Sequence, residues 1–225
     1  ALQDNTVFRK MQRVITKKVL DHFDSFADEN KDDFVRFYRE FGVILREGIS
    51  SDYENRDRIA KLLRFGSTNN SEASGLISLA DYCSRAKEGQ EQIYFACGMD
   101  PAIVMRDPNL EVFRSRNLEV LILTDPADEF ILSHLGEFDK KQIVSVDSAE
   151  LKLPPKEGEP QKTDEEKSTA DADKDTLDSS PNLGSLISLM KETLGDQVQD
   201  VRRSERLTES PCCLVNASGS MSTTM

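Results

Sequence analysis

Asp125, Asp128 and Glu129 are the side chains of this chain most suggestive of chemistry. Carboxylates clustered at this spacing offer hard oxygen ligands of the kind a divalent cation takes. They also have a structural reading. Pro126 marks the first turn of a helix, where acidic side chains complement the macrodipole and cap free backbone donors, and that reading takes precedence over metal. Lys140 and Lys141 beside Asp139 offer a small anion site or, more simply, a solvated turn. The three arginines between Asp200 and Arg206 are interleaved with acids rather than aromatics, which reads as a solvated strand face and not a nucleic-acid patch. Cys83, Cys97, Cys212 and Cys213, with His22 and His134, show neither a disulfide framework nor metal-ligand spacing. Buried thiols in a reducing compartment are the expectation. No GxGxxG, Walker-type phosphate loop, GxSxG or HExxH is present. Met221 and Met225 stand at i and i+4, on one helical face; they are either core or an adaptable contact surface.

The elements that must position these residues follow from apolar patterning. Gln92–Cys97, Leu118–Thr124 and Gln142–Val146 are short apolar runs bounded by Gly, Asp and Pro, the pattern of strands covered on both faces. Helical period separates them, from Pro108 to Arg116 and from Pro126 to Phe138. Together they predict a small right-handed α/β unit with a short parallel sheet. In the second crossover, Ile131, Leu135 and Phe138 define a buried stripe, which leaves Phe130 at its edge and partly exposed. Upstream, three amphipathic helices are expected over Ala1–Glu29, Asp32–Arg46 and Asp52–Phe65, packed as a coil. The second buries Phe34, Phe37, Tyr38, Phe41, Ile44 and Leu45 and stops near Gly48. Its Phe-rich face reads as core rather than a binding groove. Ser78 caps a further helix, with Asp81 three residues on.

Composition sets the outer bounds. The chain of 225 residues is 37% apolar and 31% charged, with a formal net charge of −12. The acidic balance argues against nucleic acid or an anionic membrane as the main partner. No apolar run approaches the roughly 20 residues of a membrane span, no signal peptide opens the chain, and a cytoplasmic location is expected. Asp147–Ser180 carries 11 acidic against 5 basic residues, with no large apolar side chain from Pro154 to Thr176. That is the signature of a solvated, disordered linker. The pattern resumes with an amphipathic helix marked by Leu183, Leu186, Ile187, Met190 and Leu194 and stopped by Gly195. A strand pair is expected over Val198–Leu207 and Cys212–Val215. The start in mid-helix and the unfinished second domain read as a piece of a longer protein. The expected organisation is a helical coil over 1–75, a small α/β subdomain over 76–147, a linker over 148–181 and the beginning of a truncated α/β C-terminal domain over 182–225.

Several blocks, in order, resemble one family: Leu2-Gln3-Asp4-Asn5, Ala60-Lys61-Leu62-Leu63-Arg64-Phe65, Ser78-Leu79-Ala80-Asp81-Tyr82 and Lys87-Glu88-Gly89-Gln90-Glu91-Gln92-Ile93-Tyr94. Glu119-Val120-Leu121, Asp125-Pro126-Ala127-Asp128-Glu129, Glu137-Phe138-Asp139 and Arg206-Leu207-Thr208-Glu209-Ser210-Pro211 continue the series. The family is that of the ninety-kilodalton heat-shock chaperones, and the likeness is greatest to its bacterial members. It runs from Leu2 to about Val146 and from Leu183 to Met225. Each block alone is weak, and their order and spacing carry the match.

The resemblance implies the later part of a middle domain followed by the front of a C-terminal domain. It implies an ATP-driven, homodimeric chaperone of unfolded or partly folded proteins, served by co-chaperones. ATP and magnesium would bind elsewhere in the full-length protein, and this stretch would bind neither. The client-contact residues it implies are Glu129, Phe130 and Ser133, together with Met221 and Met225. Bacterial members often carry Trp where Phe130 stands, so Phe130 offers less contact area and no indole donor. The Pro-rich acidic linker resembles eukaryotic members instead. A rival reading is a non-enzymatic scaffold with one fixed protein partner. A ligand site at the strand ends, Gly98-Met99-Asp100 and Thr124-Asp125-Pro126, would need a nucleophile–base pair or phosphate loop that the chain lacks.

Overall fold

The computed structural model describes residues 6–69, 75–154, 181–204 and 206–216. Three helices come first: α1 (Thr6–Glu29), α2 (Lys31–Ser51) and α3 (Arg56–Leu62). A mixed five-stranded sheet follows, built from β1 (Gly66–Ser67), β2 (Gln92–Cys97), β3 (Leu121–Leu123), β4 (Glu137–Phe138) and β5 (Lys141–Ser145) in the order β1-β3-β2-β5-β4. Its helices are α4 (Leu79–Ser84), α5 (Pro101–Val104), α6 (Glu111–Ser115) and α7 (Pro126–Leu135). The last helix, α8, covers Pro181–Leu194. The chain divides into two compact units, Ala1–Pro154 with Cys213–Met225, and Pro155–Cys212.

The expected parallel core is present. β2 pairs in parallel with β3 on one side and β5 on the other, while β1 and β4 add short antiparallel edges. Every residue of β2 is buried, because the sheet is covered on both faces. Ile93, Phe95, Cys97, Leu121 and Leu123 face one core with Ile131 and Leu132 of α7 and Phe34 and Tyr38 of α2. Tyr94, Ala96, Val120 and Ile122 face the other, with Val104, Leu110, Val112 and Phe113. The alternation is the two-residue period of a strand, and each fully buried Leu, Ile or Phe contributes about 1.5–3 kcal/mol. The first core runs without a break from Leu20 to Leu132. The helical coil and the α/β layer therefore share it across the boundary expected at 75–76.

Local signals explain several helix ends. Ser78 accepts from the Asp81 amide at 3.0 Å, and the Ser78 amide donates back to Asp81 Oδ2 at 3.2 Å, a complete capping box. Helix α7 stops at Gly136, whose φ of 72° suits a residue without a Cβ. Phe138 therefore belongs to β4 and not to the helix, so the buried stripe of α7 is Ile131 and Leu132, with Leu135 partly buried.

Two expectations for α2 are corrected. Helix α2 does not stop near Gly48 but continues to Ser51. A Cβ at Gly48 would lie 2.9 Å from Ile59 Cδ1, so this glycine serves the close approach of α3. The buried stripe of α2 is Phe34, Tyr38, Gly42, Leu45 and Ile49, leaving Phe41 and Ile44 exposed. Along α1, Leu20 and Ala27 are buried, whereas Val7, Met11, Val14 and Ile15 are exposed.

The chain stays packed beyond 147, with Leu151 and Leu153 against the second core and Arg116 Nη1 donating to the Pro154 carbonyl at 2.6 Å. The rest of the expected linker up to 180 lies outside the described residues. No strand forms among the described residues of 198–215. Backbone pairing occurs instead at Asn216, which makes a single parallel bridge to Ser148. In the second unit, Lys191 of α8 pairs with Asp200 at 2.7 Å.

Candidate functional site

Helix α7 carries the candidate residues, and its sequence fixes its orientation. Asp125 is the N-cap: its Oδ1 accepts from the Ala127 amide at 3.0 Å, and Pro126 occupies the first turn. The next acid, Asp128, faces the helical coil. Arg46 Nη1 of α2 donates to Asp128 Oδ1 at 2.6 Å and to Asp125 Oδ2 at 3.0 Å. Burial pushes the Asp128 carboxyl above the usual aspartate range, with the Arg46 hydrogen bond opposing it. Burial works to lower the Arg46 guanidinium, but the hydrogen bond and charge of Asp128 together outweigh it and hold it up. The carboxylate is the more desolvated partner, and its upward direction follows from its burial.

This ion pair gives the cluster a structural use. Arg46 takes the oxygens that a cation would need, and no group of three or more His, Cys, Asp or Glu side chains suited to a metal ion occurs among the described residues. Glu129 points inward at 2% exposure, where its charge and hydrogen bond, after burial itself, push the Cys97 thiol up. A thiol held protonated in this way is no nucleophile. Of the four free cysteines Cys97 is buried, Cys83 and Cys213 are half-buried and Cys212 is exposed, so the expectation of uniformly buried thiols is corrected.

The outer face of α7 is different. Phe130 is 46% exposed. Ser133 and His134 are exposed beside it, at i+3 and i+4. The His134 and Phe130 rings lie 4.2 Å apart, and His134 Nδ1 is 3.2 Å from the Phe130 carbonyl oxygen. The structure thus gathers Phe130 and Ser133 on one solvent-facing ridge and sets Glu129 apart from them in the interior. His134 joins this ridge, a role sequence reasoning did not give it although the i, i+4 spacing to Phe130 was available. Met221 and Met225 lie outside the described residues.

The other candidates disperse. Asp100 Oδ1 accepts from the Ala102 amide at 2.8 Å as the cap of α5, so the strand end after β2 is committed to structure. Lys141 Nζ donates to the Gln90 carbonyl. The open groove beside it, about 520 Å³, mixes Lys140, Lys141 and Lys152 with Glu91, Glu137 and Asp139, which gives no anion preference. No helix among the described residues is long and apolar enough to cross a membrane.

Comparison with known proteins gives one consistent result. Residues 1–225 match the family described as Hsp90 protein. The chaperone protein HtpG of Shewanella amazonensis is 37% identical over 224 residues, covering 100% of this chain and 33% of that protein. HtpG of Desulfotalea psychrophila is 39% identical over 225 residues, covering 100% of this chain and 34% of its own length. HtpG of Dechloromonas aromatica is 41% identical over 201 residues, 89% of this chain and 30% of that protein. The chain spans about a third of the length of the curated relatives it matches.

Proposed function

The chain belongs to the Hsp90 protein family, and from that premise we propose that it supplies client-contact surface to an ATP-dependent chaperone that remodels unfolded or partly folded proteins. The observation that carries this reading is the exposure of Phe130 on a helix whose other faces are fixed. Leu132 is fully buried and Asp128 is tied to Arg46, so Phe130, Ser133 and His134 stand on a rigid ridge. A single aromatic on a polar helix face binds apolar segments weakly and with little selectivity, which suits a partner that must be released. Met221 and Met225 belong to the same proposed surface. Homodimerisation, co-chaperone binding and a cytoplasmic location are further parts of the proposal.

The strand-end carboxylates are given to structural contacts. Asp100 and Asp125, at the ends of the parallel strands, are used as helix caps, and Asp125 is also held by Arg46. The reading places ATP and magnesium in the remainder of the full-length protein and assigns this stretch the relay of the cycle through the α2–α7 contact.

Binding of several unrelated, permanently unfolded polypeptides, followed by fluorescence anisotropy, tests the proposal. The expected result is weak, saturable binding of most of them. Binding of none, with tight capture of a single folded protein, would replace it with a scaffold for one fixed partner.

A further inference from the structure

We propose that the Asp147–Ala149 edge is a docking site for the segment Cys213–Asn216 of the same chain, and that this contact is a reversible latch. The Asn216 amide donates to the Asp147 carbonyl at 2.7 Å, and the Ala149 amide donates to the Asn216 carbonyl at 3.1 Å. Asn216 Nδ2 donates to Asp147 Oδ2 at 2.9 Å, and Asn109 Nδ2 donates to the Leu214 carbonyl at 3.3 Å. Asp147 and Asn216 are both buried, whereas the Leu214 side chain is 66% exposed. The segment is therefore held by polar contacts and not by apolar burial. A contact of that kind opens locally, without unfolding the core beneath it.

Its position gives the latch a use. Asp147 follows β5, so the dock lies at the edge where the parallel strands β2, β3 and β5 end and where α7 begins after β3. The Cys97 thiol at the end of β2 feels both Glu129 of α7 and Asp147. The chain leaves this layer at Pro154, whose carbonyl Arg116 holds, and returns to it at Cys213. Opening the latch releases the returning end alone. Met221 stands five residues after Asn216, a reach of at most about 18 Å. The closed latch thus fixes the chain at Asn216, five residues before Met221, on the layer that carries Phe130. This consequence rests on the client-contact reading, whereas the docking itself does not.

Two readouts on the full-length protein separate the two. Hydrogen exchange in Asn216→Ala is expected to speed up by about tenfold or more at the two amides that the latch protects, those of residues 149 and 216, with β2 and α7 unchanged. Affinity for a reduced, carboxymethylated unfolded polypeptide is expected to fall about threefold or more, a loss of roughly 0.7 kcal/mol. A disulfide between Ser148→Cys and Asn216→Cys, with Cys212 and Cys213 replaced by serine, should restore both. If Asn216→Ala unfolds the layer, Asn109→Ala, which removes only the Leu214 contact, reports the same exchange. Unchanged exchange overturns the docking. Faster exchange with unchanged affinity overturns the latch's role in client binding. Failure of the wild-type protein to bind the probe overturns the client-contact reading and the latch's role with it, while the exchange result still decides the docking.

Discussion

Replacing Arg46 by methionine is expected to destabilise the protein by about 3–5 kcal/mol at neutral pH. Arg46 and Asp128 have side-chain exposures of 17% and 10%, so neither charge has enough water to fall back on. Methionine covers much of the volume of the arginine stem but leaves Asp128 as a buried carboxylate facing an apolar group. Breaking one side of such a pair costs far more than an exposed ion pair contributes. The pH dependence follows from the direction of the Asp128 shift. Its folded-state value is raised above the ordinary 3.8 by burial, and loss of Arg46 raises it further. A carboxyl whose folded value is raised binds its proton more tightly in the folded state. Its stabilising contribution is full below the unfolded value and is lost as pH rises through the folded value. The deficit of Arg46→Met relative to wild type should therefore shrink on acidification from about pH 7.5 to about pH 4. Urea denaturation of both proteins at the two pH values measures it. A deficit below about 1 kcal/mol at neutral pH, the size of an exposed pair, would mean that the contact between α2 and α7 is not the joint described.

The second large effect distinguishes the two faces of α7. Leu132 is fully buried among residues of the first core, and Leu132→Ala is expected to cost about 2–5 kcal/mol through lost burial and a residual cavity. Phe130 lies two positions away at 46% exposure, and Phe130→Ala should change stability by only about 1 kcal/mol or less. Denaturant midpoints of the two variants settle the assignment. Equal losses would put Phe130 in the core and remove it from any contact surface.

Much of this was legible in the sequence because it depends on local pattern. β2 and the run to Leu123 are continuous apolar runs, which marked them as strands covered on both faces, and the structure sets Ile93, Phe95 and Cys97 in one core and Tyr94 and Ala96 in the other. Ser78 with Asp81 announced a capping box, and Asp125-Pro126 announced the start of α7. What failed depends on contacts distant in sequence. Gly48 reads as a helix stop until Ile59 is seen packed against it. Glu129 reads as an exposed acid beside Phe130 until the end of β2 brings Cys97 to its carboxylate. Arg46 carries no local mark at all, since its partners stand 79 and 82 residues away. Val198–Leu207 and Cys212–Val215 have strand composition, but strands need a ladder, and the hydrogen bonds at Asn216 go to Asp147 and Ala149 instead.

Whether Phe130 contacts unfolded chains is decided most directly by one measurement. The affinity of full-length wild type and Phe130→Ala for a permanently unfolded polypeptide should be compared alongside their melting temperatures. Loss of one aromatic anchor from a small contact surface is expected to cost about 1–2 kcal/mol, which is a weakening of roughly 5- to 30-fold. If Phe130 is a contact residue, that weakening comes with a melting temperature close to wild type. Undiminished affinity, or a weakening that appears only together with a collapse in melting temperature, would contradict it.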